Sequence, residues 1–475
     1  MNVLLVTLDQ FRADCLSAAG HPLVRTPNLD ALAAAGVRLA RHYSQAAPCA
    51  PGRACLYTGT YQMNNRVVGN GTPLDGRFDN VALAATRAGY APAVFGYADQ
   101  AIDPAAALGP DDPRLFNWES LPPGFAYELE LLDDVAPWRR WLEDLGYADL
   151  PENPYMLLAG EPDRPAEHGI STFLTDHLLG WLERQEGPWF AHASYLRPHP
   201  PYAAAGHWSR AYDPADVPLP VPAGDDITFC GRVAAIPAPE DESEMRKIAA
   251  QYYGMISDVD EQLGRVFDRL RGLGMWDDTC IVVTADHGEQ LGDQGRLQKG
   301  GYFESSYHIV GIVRDPRHQE TFGRVVDSFT ENVDIFPTIC EAIGVEVPAQ
   351  CDGLPLTPFL SGEDPPWWRD AAHWEYDWRW EYILFGPHTW PWDRRLEEKH
   401  LAVLRTESAA YVQFADGTGR CFDLAADPTW RTEITDPAVI LPHAQAMLAW
   451  RGVHADRRLT DMLLIDGGVG RIPAP

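Results

Sequence analysis

Lysine is nearly absent from this sequence. Among 475 residues only three are lysine, at positions 247, 299 and 399, and the 68 acidic residues far outnumber the 38 basic ones. The resulting net charge of −30 argues against nucleic acid and against anionic membranes as partners, because an acidic surface repels both. An anionic substrate could bind only where a metal ion or a few converging cations overcome this field.

Long apolar runs and paired cysteines are also missing. No run approaches the roughly 20 residues of a membrane span, and Met1 leads into the apolar run 2–8 without a basic segment. We therefore expect a soluble, unexported, cytoplasmic protein with no membrane partner. The eight cysteines contain no C-x-x-C pair, which favours reduced thiols over a disulfide framework.

The rest of the composition is that of a globular protein, with 45% apolar residues and a length sufficient for more than one domain. Branched apolar runs predict strands at 3–8, 91–97, 189–196, 279–285 and 308–313. Helical spacing of apolar residues predicts helices at 26–36, 81–88, 170–185, 242–273 and 333–344, with a loop and short helix at 353–362. Residues 101–165 are rich in proline, aspartate and glycine and predict loops and short helices over one sheet face, and 203–240 predict a further loop.

The chain changes character near residue 365. Seven tryptophans follow within thirty residues, and we interpret them as the core of a second domain rather than as an aryl-binding wall or a subunit contact. Alternating stretches at 399–405, 409–414 and 419–424 predict a small antiparallel sheet, and 437–453 predicts a helix packed on it. We divide the chain into 1–365 and 366–475, whose tail from 463 could clasp a neighbouring subunit. The tryptophans are Trp367, Trp368, Trp374, Trp378, Trp380, Trp390 and Trp392.

Two core-like strands, far apart in sequence, each end in a pair of polar residues. The first is followed by Asp9 and Gln10, and the strand at 279–285 is followed by Asp286 and His287. Ligands bind at the carboxyl ends of parallel strands, so these four side chains could close one metal site. For either pair alone, a solvated turn after a strand explains the residues equally well.

The stretch Cys49-Ala50-Pro51-Gly52-Arg53 carries the sharpest signal. Pro51 suits the first turn of a helix, which would place Cys49 just ahead of a helix N-terminus that favours negative charge. Arg53, one turn later, could point at the same anion. The alternative is a small buried cysteine beside a surface arginine.

Three further residues stand in settings that suggest a role. His199 lies in a loop that the prolines at 198, 200 and 201 hold extended, although a lone histidine is often structural. Lys299, in the loop 291–301, is a compact proton donor in a chain that almost always uses arginine. Asn70 could donate its amide to an anion, but asparagine near glycine is more often a turn residue.

Taken together, these motifs resemble the type I sulfatases of the alkaline phosphatase superfamily, in the branch of arylsulfatases and phosphonate monoester hydrolases. The resemblance covers nearly the whole chain. It implies an α/β fold with a large central, mostly parallel sheet between helices and a smaller C-terminal domain with an antiparallel sheet and a helix. Its residues are Asp9, Gln10, Cys49 to Arg53, Asn70, Tyr97, Arg197 to Pro201, Asp286 to Glu289 and Lys299.

The resemblance also implies the chemistry. A formylglycine-generating enzyme would convert Cys49 to formylglycine, whose hydrate, activated by one divalent metal ion, attacks sulfur or phosphorus. Arg53, Lys299 and Asn70 would take up charge on the anion, and His199, with Lys299 as the other candidate, would protonate the leaving group. A homo-oligomer, either dimer or tetramer, is expected from the family.

Two departures from the common sulfatase pattern matter. Gln10 and His287 stand where many sulfatases carry aspartate and asparagine, a substitution that the phosphonate branch shows, and an imidazole shifts the expected metal from calcium towards manganese or another transition ion. We expect manganese or calcium, with zinc or magnesium as alternatives. Asp99 stands where phosphonate hydrolases have threonine. Its carboxylate would repel a doubly charged phosphate more than a sulfate ester. We therefore expect an arylsulfatase-type hydrolase of sulfate monoesters, and a phosphonate monoester or phosphodiester hydrolase as the alternative. The competing hypothesis from another functional class is a metal-binding protein that hydrolyses no substrate.

Overall fold

The computed structural model of the protein describes residues 1–117, 119–132, 134–224, 236–379 and 398–456, with the backbone of 462–465 and 468–471. The strands are β1 (Asn2–Leu8), β2 (Val37–Tyr43), β3 (Ala46–Ala47), β4 (Ala93–Gly96), β5 (Ala126–Glu130), β6 (Phe190–Tyr195), β7 (Ile236–Pro237), β8 (Thr279–Thr284), β9 (Arg296–Leu297), β10 (Gly311–Arg314), β11 (Arg324–Glu331), β12 (Ala371–Asp377), β13 (His400–Thr406), β14 (Ala409–Phe414), β15 (Gly419–Asp423), β16 (Met462–Ile465) and β17 (Gly468–Arg471). The helices are α1 (Pro27–Ala34), α2 (Cys49–Thr58), α3 (Gln62–Asn65), α4 (Val81–Arg87), α5 (Ala136–Asp144), α6 (Pro154–Ala159), α7 (Ile170–Leu182), α8 (Glu242–Gly272), α9 (Ile335–Ile343), α10 (Thr357–Leu360) and α11 (Pro437–Val453).

A large eight-stranded sheet organises the chain, in the order β11-β2-β10-β8-β1-β6-β4-β5. Its strands run parallel except β10, which is antiparallel to both of its neighbours. Every residue of β1, β6 and β8 is buried, as expected for strands covered on both faces. The predicted α/β fold with a mostly parallel central sheet is confirmed.

Alternate residues of β1 pack into different layers. Leu4 and Val6 join a core with α1, α7 and α8, whereas Val3 and Leu5 join a second core with α2, α4 and α9. The sheet is thus the middle layer of three, with helices on both of its faces. A functional group that must meet a ligand is therefore expected at the ends of the strands or in the loops. The predicted helices at 26–36, 81–88, 170–185, 242–273 and 333–344 correspond to α1, α4, α7, α8 and α9.

A second sheet has the order β15-β14-β13-β12-β3. Its last four strands in sequence are antiparallel, but β3, from the N-terminal part of the chain, adds in parallel to β12. Trp374 and Trp378 are buried in its core, and Trp367 is exposed. Trp380, Trp390 and Trp392 lie outside the described residues, and the tail contributes the hairpin β16–β17.

The fold differs from the sequence predictions at its least regular strands. Residues 101–165 contain β5, an edge strand in which only Leu129 is buried, so apolar alternation was too weak to predict it. The strands β2, β11 and β12 were not predicted either, because arginine, aspartate and glutamate interrupt their apolar patterns. The strand predicted at 308–313 begins at Gly311.

The described cysteines, all but the one at 230, are free and buried. Within the described part of the chain, no helix is both long enough and apolar enough to cross a bilayer.

Candidate active site

The two predicted polar pairs meet at the carboxyl edge of the large sheet. Because β1 and β8 are adjacent and parallel, Asp9 and Gln10 emerge beside Asp286 and His287. All four side chains are fully buried. Gln10 has a left-handed backbone with φ of 71°, an uncommon conformation that turns the chain sharply after β1.

Cys49 is delivered to this edge by α2. The helix begins at Cys49 itself, two residues before the start that Pro51 suggested. It lies so close to the end of β8 that a Cβ on Gly52 would sit 2.3 Å from the Asp286 carbonyl oxygen. Only glycine fits at position 52, which explains this residue within the motif.

Four potential ligand atoms converge. Asp9, Cys49, Asp286 and His287 each offer one atom, and these atoms all lie within 4.8 Å of one another. The His287 Nε2 atom is 3.3 Å from the Cys49 sulfur and 3.9 Å and 3.8 Å from carboxylate oxygens of Asp9 and Asp286. Three of the four predicted ligands are in this group together with Cys49, whereas the Oε1 atom of the fourth, Gln10, accepts a hydrogen bond from Lys299.

The hydrogen bonds leave two ligand lone pairs aimed at the same place. His287 Nδ1 lies 3.0 Å from the Gly288 carbonyl oxygen, which can only accept, so Nδ1 donates and Nε2 keeps its lone pair. Burial lowers the pKa of His287 to about 4, so the ring is neutral. The Oδ1 atom of Asp9 is buried and has no hydrogen-bond partner. An orphaned carboxylate oxygen beside an imidazole nitrogen whose lone pair points at the Cys49 thiol fits a metal ion.

Arg53 lies beneath the carboxylates rather than in the open part of the site. Its guanidinium is fully buried, with Nε 2.9 Å from Asp286 Oδ2 and Nη2 3.3 Å from Asp9 Oδ2. Its remaining nitrogen donates to the Tyr97 carbonyl and to the Ser194 hydroxyl. Arg53 therefore holds in place the carboxylates of Asp9 and Asp286, which are both potential metal ligands.

Lys299 reaches the site from its loop. Its Nζ donates to Gln10 Oε1 at 2.9 Å and lies 3.5 Å from the Cys49 sulfur. Burial opposes its charge, but Cys49, Asp9 and Asp286 outweigh burial and raise its pKa. Lys299 is therefore a cation beside position 49.

Negative charge nevertheless prevails around Cys49. Burial, then the charge of Asp9, raises the pKa of the Cys49 thiol well above its ordinary value, and Asp286 and Asp99 add to this. Burial and Asp286 also raise the pKa of Asp9. An unmodified thiol here would be a poor nucleophile, because the thiolate is the reactive form.

The three residues predicted to contact substrate surround the same point. Asn70 accepts a hydrogen bond from the Ala50 backbone N–H at 3.1 Å, which leaves its amide nitrogen as the donor end. The Tyr97 hydroxyl donates to Asp9 Oδ2. Asp99 is buried, has a left-handed backbone with φ of 51°, and is near enough to influence the Cys49 pKa.

His199 is held by a buried ion pair that the sequence did not reveal. Arg197 donates from Nε to Glu161 at 2.9 Å and from Nη1 to the His199 carbonyl at 2.7 Å. The His199 Nδ1 atom donates to the Pro200 carbonyl at 2.7 Å, so Nε2 is the free nitrogen. Burial, and then the charge of Lys299, lowers the pKa of His199 well below its ordinary value.

Sequence reasoning also missed the role of Glu289. It accepts from the Gln10 amide, from the Tyr202 hydroxyl at 2.9 Å and from the Leu291 and Gln298 backbone N–H groups. Glu289 thus orients Gln10. Its position two residues after His287 was the available signal, whereas nothing near Glu161 pointed to Arg197.

Comparison with known proteins agrees with this geometry. The sequence model of the family described as Sulfatase matches residues 1–345, and that of N-sulphoglucosamine sulphohydrolase, C-terminal, matches residues 292–440. The multifunctional alkaline phosphatase superfamily protein PehA of Trinickia caryophylli is 36% identical, over 97% of this chain and 96% of PehA. An arylsulfatase of Clostridium perfringens is 25% identical over 91% of this chain and 90% of its own.

Solved structures give the same picture. The phosphonate monoester hydrolase of Agrobacterium radiobacter superimposes with a TM-score of 0.92 and 38% identity, over 100% of both chains. The corresponding enzyme of Silicibacter pomeroyi gives a TM-score of 0.90 and 33% identity, over 99% of both chains.

Proposed function

Because the chain belongs to the Sulfatase family, we propose that this hydrolase cleaves sulfate monoesters with a formylglycine nucleophile at position 49 and one divalent metal ion. The observation that carries the proposal is the convergence of Asp9, Asp286 and His287 on Cys49 within 4.8 Å, all of them buried. A formylglycine-generating enzyme is the partner that this modification requires.

The metal would be held by Asp9, Asp286 and His287, with Gln10 as a fourth ligand once its carbonyl oxygen is released from Lys299. Two carboxylates, an amide and one imidazole favour manganese or calcium, with zinc and magnesium as alternatives. When bound, such an ion lowers the pKa of a coordinated hydroxyl and stabilises charge on the ester oxygens. The orphaned Asp9 oxygen and the unprotonated His287 Nε2 beside Cys49 support this assignment.

The protein's own residues divide the remaining work. Arg53 holds Asp9 and Asp286 and acts as a positioning residue. Lys299, 3.5 Å from the Cys49 sulfur, and the Asn70 amide stabilise the anion from the nucleophile side. These three residues act on the nucleophile side of the ester and not on its leaving group.

His199 serves the leaving group. Its Nε2 is free because Nδ1 donates to Pro200, and its imidazole is neutral in the unbound protein. A bound anion favours the protonated ring, because a nearby negative charge stabilises the cation. Substrate binding would therefore promote protonation of His199, which could then protonate the departing oxygen. Lys299 is the alternative donor.

Asp99 supports sulfate monoesters over phosphate monoesters. Its carboxyl is close enough to raise the pKa of Cys49, and negative charge there repels a doubly charged phosphate more than a singly charged sulfate ester. The likeness to two phosphonate monoester hydrolases keeps phosphonate esters as the second candidate.

The test compares catalytic efficiencies on one preparation. We expect kcat/KM for 4-nitrophenyl sulfate to exceed that for 4-nitrophenyl phenylphosphonate. An advantage of orders of magnitude for the phosphonate would transfer the assignment to the second candidate. Mass spectrometry of the peptide containing Cys49, from a host that makes the modifying enzyme, must show formylglycine. An unmodified thiol there would favour a metal-binding protein without turnover.

Two structural expectations remain proposals. We propose that residues 1–365 and 366–475 form the catalytic and C-terminal domains, although the edge strand β3 ties the second sheet to the first part of the chain. We also propose a homo-oligomer, a dimer or tetramer, which light scattering would test.

A further inference from the structure

An apolar cavity of about 390 Å³ opens beside the active site. We call it the side pocket. Tyr97 and His199 belong to both, since they line the pocket and also serve the site around Cys49. Any group placed in the pocket would therefore lie on the His199 side of the site.

The walls of the side pocket are mostly hydrocarbon. Leu131, Val135 and Leu158 are buried members of the main core and form a packed floor, and Leu196 adds a further apolar wall. Tyr155, 54% exposed, stands at the rim. Among the described lining residues none is aspartate, glutamate, lysine or arginine.

Two polar side chains of the pocket already have partners, whereas His199 keeps its free Nε2. The Tyr97 hydroxyl donates to Asp9, and the Asn153 side chain accepts from the Met156 backbone N–H at 3.1 Å. The pocket therefore offers little to a leaving group with many hydroxyls. It also provides neither a carboxylate nor an aromatic cage for a quaternary ammonium ion.

Backbone strain at Val135 supports a purpose for this floor. Val135 has φ of 45°, and a β-branched residue in the left-handed region is a genuine outlier. Its side chain is nevertheless buried at the bottom of the pocket. Strain of this kind persists where the surroundings enforce it, commonly at ligand sites.

We propose that the side pocket is the leaving-group site and that it selects small, uncharged, apolar leaving groups of one or two aromatic rings. The inference rests on the proposed function and specifies its substrate class. A volume near the lower end of typical ligand sites holds a phenol or a naphthol, whereas most of an oligosaccharide would remain outside the pocket. Because His199 lines the pocket, a phenolic oxygen seated there would meet the proton donor as it departs.

The chain offers a matched pair of variants. Tyr155 and Met156 are neighbours on α6 with similar exposure, 54% and 56%, but of the two only Tyr155 lines the pocket. Replacing either with aspartate threatens the fold equally little. Tyr155→Asp removes an aromatic contact and places a charge at the rim, and Met156→Asp changes the net charge identically outside it.

The first measurement is binding of 2-naphthol alone, followed by its fluorescence, which needs no turnover. We expect Tyr155→Asp to weaken this binding about tenfold, since an aromatic contact is lost and a charge stands at the rim of an apolar pocket. Met156→Asp should stay within twofold of the parent. Equal binding by all three proteins, or no binding by the parent, would overturn the proposal.

The second measurement compares leaving groups on the modified, metal-loaded enzyme. We expect Tyr155→Asp to lower kcat/KM for 2-naphthyl sulfate about tenfold and to leave that for glucose 6-sulfate within twofold, a comparison in which the different reactivities of the two leaving groups cancel. Equal losses for the two esters, or no loss for either, would contradict the selection. If no ester of either class is hydrolysed but 2-naphthol binds as expected, the proposed function fails while the pocket assignment stands.

Discussion

Two clusters of charge are buried in this protein, and they differ in how their carboxylates are satisfied. The ligand cluster consists of Asp9, Asp286, Arg53, Lys299 and His287 at the edge of the large sheet. The linker cluster joins that sheet to the second one and consists of Glu331, Asp334, Arg369 and His373.

Every carboxylate oxygen of the linker cluster meets a donor. Glu331 accepts from the Tyr61 hydroxyl at 2.6 Å and the His373 backbone N–H at 2.8 Å. Asp334 accepts from Arg369, from the Glu331 backbone N–H and from the Leu354 backbone N–H. Although burial opposes it, Arg369 and His373 lower the pKa of Glu331 to about 2.

The ligand cluster is left incomplete by contrast. Asp9 keeps one buried oxygen without a hydrogen-bond partner. Buried charge alone is therefore not the mark of a site, since the linker cluster has it too. An unbonded buried oxygen is not sufficient either, because Asp258 and Glu375 each keep one. The ligand cluster differs because its unbonded oxygen lies beside further potential ligand atoms.

The largest expected effect comes from replacing the Asp9 carboxylate with a neutral amide. Asp9→Asn should lower kcat/KM for 4-nitrophenyl sulfate on the order of 10³-fold, because a charged metal ligand and its electrostatic effect are lost. The melting temperature in EDTA should not fall, since one of two adjacent buried carboxylates becomes neutral. Kinetics, metal analysis and calorimetry measure these effects. Asp111→Asn, at an exposed position, is the control, and full activity in Asp9→Asn would refute the assignment.

The linker cluster should respond in the opposite way. Arg369→Met leaves Glu331 and Asp334 without their cation, which should cost about 3–5 kcal/mol in the free energy of unfolding. Activity per folded molecule should change little. Urea unfolding and specific activity measure the two quantities, with the exposed Arg140→Met as control. A large loss of activity without loss of stability would make this cluster functional.

The sequence alone predicted the ligand cluster better than the linker cluster. Asp9 and Asp286 each follow a fully apolar strand, and parallel strands bring such ends together, so local patterns were sufficient. The motif at Cys49 predicted a further residue of the site, and the family resemblance added Asn70 and Tyr97 to it. Helices of strong apolar period were likewise predictable.

The linker cluster could not be predicted, because it depends on pairing between distant and irregular segments. Glu331 ends β11, whose pattern is broken by polar residues, and His373 lies in β12, which pairs with the two-residue strand β3. Glu161 presents the same difficulty, since its partner Arg197 comes from another element. Such contacts are set by tertiary packing rather than local propensity.

A third buried carboxyl shows how burial with weak compensation behaves. Burial, then the charge of Glu161, raises the pKa of Asp258 to about 8, with a hydrogen bond from Ser171 and the charge of Arg197 opposing the shift and Glu261 adding to it. Asp258 is thus protonated when folded but ionised when unfolded between about pH 4 and 8. The folded state holds the extra proton, so wild-type stability falls as pH rises through this range.

Asp258→Asn removes that dependence because the amide mimics the neutral acid. Relative to wild type, the free energy of unfolding of the variant should increase by roughly 2 kcal/mol between pH 5 and pH 8. This value is smaller than the full pKa shift would give. Urea midpoints at both pH values provide the measurement. Asp268→Asn, at an exposed position of the same helix, should show no such gain, and a variant that loses stability on raising the pH would contradict the assignment.

The smallest expected effect concerns selectivity within the ligand cluster. Asp99→Thr removes a carboxylate whose charge acts on Cys49, so the ratio of kcat/KM for 4-nitrophenyl phosphate, a dianion, to that for 4-nitrophenyl sulfate, a monoanion, should rise about tenfold, or about 1.4 kcal/mol. Asp99→Asn, which keeps the shape but not the charge, should give the same change if charge is the cause. A rise only in the threonine variant would assign selectivity to space around Cys49 rather than to electrostatics. No change in either variant would show that the ligand cluster treats both esters alike.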